Sequence, residues 1–400
     1  MRHSDERSRF VDYALIRFCH KLYANSEGPG GASKGELFGL MTRPGGAVSI
    51  WPRYLHGNLY MTSFQPARRR TLKLAATSLA LPALAAYGAN AEAASPANVE
   101  AAIGRFAALA PDTANCLVRA DPSSTAAPAW SAGYYPDRQL FVGSAVKTYI
   151  LAQFLRDVEA GLGGLTEDRA CEISDAYRSP GSPVFLGLSG KTSYRSALEA
   201  MITHSDNTAT DVALAVAGPD RVRALIAEAG LHQTRIPDST RKLFSYLAGA
   251  EPGVDLGWEG MVRLGNNENL GLTSRADVIN DKQAMLSTAS EMVSWYRQSM
   301  SGKFFRQPAT LAEYKRIHAM ADAVWMAVPA RVQGFGKGGS IDWESFHCLC
   351  FAGQMLAGAV PVTFCLTLNW TGGALSTERT GEFIAAAADV LREAATAAKG

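Results

Sequence analysis

The sequence predicts a mixed α/β fold of the α+β kind. An antiparallel sheet is built from both ends of the folded region and flanked by helices, with an all-helical subdomain inserted between. Three observations carry this. Strand-like runs with β-branched and aromatic content stand at the two ends: residues 116–119 and 129–134 early, 345–356 and 359–368 late. Apolar residues at helical spacing fill most of the stretch between them. A long amphipathic segment, 376–398, closes the chain.

The amino end stands apart. Residues 1–60 mix charge, glycine and scattered aromatics without a sustained period. From Met61 the chain reads M-T-S-F-Q-P-A-R-R-R-T-L-K, followed by a small-residue apolar run, 74–89, and Ala91-Glu92-Ala93. Basic residues, a short apolar segment and a small-residue end make an export signal. Its Arg68-Arg69 order resembles the twin-arginine type, which implies a periplasmic or secreted protein. Residues 61–93 are thus expected to be an export signal, and 1–60 an extension preceding the true start. The first 93 residues hold 12 of the 39 Lys+Arg and 6 of the 37 Asp+Glu, so the remainder carries 27 against 31, a net of −4. A remainder without a basic stripe disfavours nucleic-acid binding. No run of some twenty apolar residues appears, so neither a membrane span nor an anchor is expected after signal removal.

Residues 94–400 form the predicted catalytic domain, with its sheet part at 96–137 and 330–400 and its helical part at 138–329. Residues 96–109 place Val99, Ile103, Phe106 and Leu109 on one helical stripe, and D-P-S-S at 121–124 turns between the two early strands. Helices follow over 149–158, 193–203, 207–216 and 219–229. Residues 236–275 read as loop, and Ser287-Thr288-Ala289-Ser290-Glu291 starts a helix that runs to Met300. Residues 332–342 are glycine-rich and extended, and the last two apolar runs form a hairpin. There is no internal repeat.

Five cysteines remain after residue 93, an odd number. Cys116 and Cys365 would pair if their strands were neighbours; the alternative is buried single thiols. His347, Cys348 and Cys350 alternate along a strand and cannot all face one ion, and no C-x-x-C or H-E-x-x-H occurs. No metal or other cofactor is expected.

Chemistry enters at L-F-V-G-S-A-V-K-T-Y-I, residues 140–150, where Ser144 precedes Lys147 by three positions. On a helix these share a face, and a lysine in an apolar cleft can lose its proton and activate a serine. Roughly one S-x-x-K arises by chance in a chain of this length, and Ser239–Lys242 is a second. Order separates them. Ser144-x-x-Lys147 is followed 61 residues on by Ser205-Asp206-Asn207 and a further 132 on by Lys337-Gly338-Gly339 in the glycine-rich strand. This is the order of S-x-x-K, S-D-N and K-T-G in serine β-lactamases and penicillin-binding proteins.

Across residues 96–398 the chain resembles the class A serine β-lactamase family. That implies a serine β-lactamase/DD-peptidase-like fold and an acyl-serine mechanism. Ser144 would be the nucleophile, Lys147 would take its proton, and Ser205 would protonate the leaving nitrogen. Asn207 would hold Lys147 and the substrate amide, and Lys337 would supply positive charge toward the substrate carboxylate. The amides of Ser144 and Ser340 would form the oxyanion hole, with Gly339 and Ser340 on the substrate. From the residues themselves, Gly338 and Gly339 leave room for substrate along the strand edge, Asp206 braces its loop, and His204 ends a helix.

The resemblance breaks in two places. K-G-G stands for K-T-G, removing a hydroxyl at Gly338 that Ser340 would replace. The family's deacylating glutamate, within E-x-x-L-N, has no counterpart in T-R-I-P-D-S-T-R-K-L; its place falls on or near Thr240. Asp238, Glu251, Glu259 and Glu268 are the nearby acids. The expected activity is hydrolysis of β-lactam amides by a monomeric enzyme. Its rivals are a penicillin-binding D-Ala-D-Ala carboxypeptidase or esterase, and a non-catalytic sensor of β-lactams or cell-wall fragments.

Overall fold

Helix α1 (Ala97–Ala107) buries the stripe Val99, Ala102, Ile103 and Phe106 and leads into strands β1 (Ala114–Ala120) and β2 (Trp130–Tyr134). The computed structural model describes residues 95–122 and 128–399, all within one unit of the chain. The expected extension 1–60, the export segment 61–93 and the second half of the D-P-S-S turn lie outside the described residues. After β2 come β3 (Leu140–Phe141), a 3-10 turn (Gly143–Val146) and α2 (Lys147–Glu159). Then follow β4 (Ala170–Ile173), β5 (Gly190–Ser193), α3 (Tyr194–Thr203), α4 (Asn207–Ala217) and α5 (Pro219–Glu228). Two short helices, α6 (Thr240–Leu247) and α7 (Gly257–Gly265), precede β6 (Leu286–Ser287) and α8 (Ala289–Met300). The chain continues through α9 (Pro308–Ala319), α10 (Asp322–Ala327), β7 (Gln333–Trp343), β8 (Phe346–Ala357), β9 (Val360–Thr371) and α11 (Thr377–Ala397).

Five strands form one antiparallel sheet in the order β2-β1-β9-β8-β7, so strands from the two ends meet at β1–β9. This is the predicted assembly. Residues of β8 and β9 are buried almost without a break, which requires cover on both faces of the sheet. α1 with α11, and α8, provide that cover. Phe106 of α1 meets Phe383 of α11 edge-on at 5.8 Å. β7 has a neighbour on one side only, so its outer edge is open to the helical insert.

The insert is helical as expected, with two short ribbons added, β3–β6 and β4–β5. Residues 236–275, read as loop, contain α6 and α7. Their signals were faint: eight or nine residues each, with Ser239 as the cap that starts α6 by accepting from Lys242 N at 3.0 Å. The second S-x-x-K is therefore a helix cap. Thr288 caps α8 by accepting from Glu291 N at 3.0 Å.

Cys116 and Cys365 lie on paired strands but do not bond. Cys116 stands opposite Leu366, and Cys365 opposite Leu117, one position out of register. Side chains alternate faces at each step, so the two sulfurs point to opposite sides of the sheet. All five described cysteines are buried free thiols. Among the described residues no helix is long and apolar enough to cross a membrane.

Candidate active site

The 3-10 turn carrying Ser144 is clamped between β3 and the edge of β7. Gly143 has φ +54°, a conformation glycine adopts without strain, and a Cβ there would stand 2.8 Å from Ser340 N. A Cβ on Gly339 would stand 2.0 Å from Val142 O and 3.0 Å from Ser144 N. The two glycines thus let turn and strand touch backbone to backbone, bringing the amides of Ser144 and Ser340 to one junction. The structure corrects the expectation that both strand glycines clear space for substrate. The space at Gly339 is filled by the turn, and a Cβ on Gly338 would meet Ala323 Cβ at 3.0 Å. That contact also accounts for K-G-G, since a threonine would press on α10.

Ser144 is half-buried on this turn, and Lys147 is the first residue of α2 rather than its partner within one α-helix. In a 3-10 turn residues three apart eclipse, so the S-x-x-K spacing still sets both on one side. α2 is anchored by a buried polar cluster: Thr148 Oγ1 lies 2.7 Å from Tyr314 OH and accepts from Trp295 Nε1 at 2.9 Å.

Lys147 is fully buried, and its amine is held by the S-D-N segment. Nζ donates to Ser205 O and Asn207 Oδ1, both at 2.7 Å, and lies 3.3 Å from Ser205 Oγ. Burial, and next the charge of Lys337, hold the amine well below its ordinary pKa, against the opposing pull of Asp206 and Asp211. A neutral amine has two N–H donors, which the two carbonyl oxygens accept, leaving its lone pair for a hydroxyl.

Ser205 takes φ +59°, a strained conformation for a residue with a side chain. Asp206 braces it, as expected. Its Oδ1 caps α4 by accepting from Ala209 N at 2.8 Å, and its Oδ2 accepts from Val184 N and Phe185 N at 2.9 Å. Asn207, at the first turn of α4, donates through Nδ2 to Pro180 O at 2.6 Å, which fixes Oδ1 toward Lys147. Lys337 is buried on β7 and donates to Gly338 O at 2.7 Å; burial lowers its pKa to about 7. Ser205, Lys337, Gly338, Gly339 and Ser340 line one cleft. His204 ends α3 at its C-cap, with Nδ1 3.0 Å from Asp322 Oδ2, a bond that raises its pKa.

Thr240 is buried beneath this cluster. Its hydroxyl donates to Asp211 Oδ1 at 2.8 Å, and it also lies 2.9 Å from Ser179 Oγ and 3.3 Å from Asn207 O. Asp211 is the residue that sequence reasoning missed. It stands four positions after Asn207, one helical turn along the same face of α4, and that spacing was the available signal. Burial raises its pKa to about 6, with bonds from Thr240 and Arg241 pulling the other way. Of the acids named beforehand, Asp238 bonds Arg223 and Gln283, and Glu268 bonds Arg263. Among the described residues no group of three His, Cys, Asp or Glu side chains is placed to hold a metal ion.

Residues 108–314, just over half of the chain, match the model of the beta-lactamase enzyme family. The chain belongs to this family. Solved structures agree at the level of fold. The β-lactamase of Sphaerobacter thermophilus is 17% identical with a TM-score of 0.56, over 75% of this chain and 96% of that one. A class A β-lactamase of Mycobacterium abscessus is 17% identical with a TM-score of 0.52, over 73% and 98%. A PBP-A mutant in acyl-enzyme complex with penicillin G is 15% identical with a TM-score of 0.53, over 74% and 96%. No curated protein matches the chain by sequence.

Proposed function

We propose that the protein is a serine hydrolase that opens β-lactam amides through an acyl-serine at Ser144. The observation that carries this is the amine of Lys147, buried, depressed in pKa and bonded to Ser205 O and Asn207 Oδ1. Its lone pair takes the proton of Ser144 Oγ as the oxygen attacks the carbonyl carbon, a step in which a positioned base contributes about 10²–10⁴-fold. The oxyanion forms against the amides of Ser144 and Ser340, donors worth about 3 kcal/mol each in the transition state. When the C–N bond breaks, the proton passes from Lys147 to the nitrogen through Ser205 Oγ, 3.3 Å away. Lys337 sets positive charge beside Ser205, and water then releases the acyl group.

Thr240 favours a second reading. A threonine whose hydroxyl is already donated to Asp211 cannot take a proton from water, so deacylation lacks its carboxylate. On that reading the acyl-enzyme persists, as in a penicillin-binding, D-Ala-D-Ala peptidase-like enzyme. Steady-state hydrolysis of a chromogenic cephalosporin by residues 94–400 and by Ser144→Ala separates them. Sustained colour release lost in the variant supports the hydrolase. A burst of one equivalent followed by a standstill supports the second reading. No release and no adduct contradicts both. Export through residues 61–93 belongs to the same proposal; the amino-terminal sequence of the secreted protein tests it, with a start near residue 94 expected.

A further inference from the structure

The cleft beside Ser205 continues away from the nucleophile. It runs between the edge of β7, helix α10 and helix α11. Ser144, Lys147 and Asn207 stand outside it. Beyond Ser205, Lys337 and Gly338–Ser340 its walls are mostly apolar, with Met326, Phe351, Phe383 and Ile384 beside Thr203 and Thr380. Its other charged side chains, His204 and Asp322, face each other at 3.0 Å.

A substrate whose carbonyl lies at Ser144 and whose departing atom lies at Ser205 must send its leaving group past Ser205. With the acyl-serine reading above as its premise, we infer that this cleft is a leaving-group subsite for an extended apolar substituent. Its substrates are amides or esters of an amine or alcohol that carries both a carboxylate and a sizeable apolar side chain. The carboxylate stays at the mouth with Lys337 and Ser340, and the side chain goes between α10 and α11. Burial of apolar surface favours the larger side chain in proportion to the area removed from water. A carboxylate carried deeper would leave water for apolar walls and meet the charge of Asp322, both unfavourable.

The test uses hippuryl esters of glycolate, D-lactate and D-phenyllactate, which share acyl group and carboxylate and differ only in the leaving side chain. Hydrolysis by the protein is expected to rise at least tenfold in kcat/KM from glycolate to phenyllactate. In Met326→Asp, and independently in Ile384→Asp on the opposite wall, that ratio is expected to fall toward one. A second measurement does not need catalysis: calorimetry of D-phenyllactate and D-lactate with Ser144→Ala, where phenyllactate is expected to bind at least tenfold tighter. A flat or falling series with turnover that depends on Ser144 overturns the subsite and leaves the hydrolase reading standing. Tighter phenyllactate binding without turnover of any ester overturns the hydrolase reading, and with it the leaving-group role of the cleft. Neither turnover nor binding overturns both.

Discussion

Asp211 accepts from both the amide and the hydroxyl of Thr240, at 2.6 and 2.8 Å, and its other oxygen accepts from Arg241 N at 3.1 Å. This carboxylate pins the start of α6 beneath Asn207 at the place where the family's deacylating glutamate is expected. A glutamate there would lie against a buried carboxylate, and the pair would repel.

Thr240→Glu alone is accordingly expected to destabilise the fold by about 3 kcal/mol or more, the scale of an uncompensated buried charge. Combined with Asp211→Asn, which keeps an acceptor for the Thr240 position's amide, the glutamate has room to act on water. The double variant is expected to shorten the acyl-enzyme lifetime with penicillin by about 10²-fold or more, the scale of a positioned general base. The decay of the adduct followed by mass checks this.

Lys147→Met is expected to slow acylation by about 10²–10⁴-fold, with non-covalent binding of penicillin little changed. The variant also leaves Ser205 O and Asn207 Oδ1 without their buried donor. Single-turnover acylation against penicillin concentration separates the rate from the binding.

Acylation needs Lys147 neutral and Lys337 charged. It falls at low pH as Lys147 gains a proton, and at high pH as Lys337, near 7, loses one. The pH profile is therefore expected to be bell-shaped, and Lys337→Arg should carry the alkaline limb upward because a guanidinium stays charged. Stability moves in the same window. The folded pKa of Lys337 is depressed, so between about 7 and the unfolded value of roughly 10.4 only the unfolded state holds the proton. Stability should thus rise with pH across that window. Lys337→Met should flatten the slope in urea titrations.

The two glycine contacts give a structural prediction. Gly339→Ala drives a Cβ into Val142 O and should cost about 3 kcal/mol, the upper end for overpacking. Gly338→Thr alone should destabilise through Ala323, and Ala323→Gly should recover most of the loss. Thermal unfolding of the three variants checks this.

The parts of the site that were legible in the sequence are those fixed by short-range chemistry. Ser144, Lys147, Ser205, Asn207 and Lys337 stand in local motifs whose order alone distinguishes them from Ser239–Lys242. Strand and helix positions in the main sheet follow from apolar periodicity, as in β8 and β9. What was not legible depends on register and on long-range contact. Cys116 and Cys365 miss one another by one residue, which no pattern in either strand records. Gly339 looked like space for substrate because sequence cannot show the Ser144 turn lying against it. Asp211 was visible as D in T-A-T-D, but its partner is 29 residues away. The helices α6 and α7 are too short for periodicity to separate them from loop.

On the proposed mechanism Lys147 arms Ser144 to form a covalent acyl-enzyme. The most direct test is the intact mass of residues 94–400 during incubation with penicillin G, with peptide mapping of the modified residue. An increase by the full mass of penicillin G on Ser144 is expected, absent from Ser144→Ala and slowed in Lys147→Met. No mass increase in a folded native protein, or one mapped to a residue other than Ser144, would contradict it.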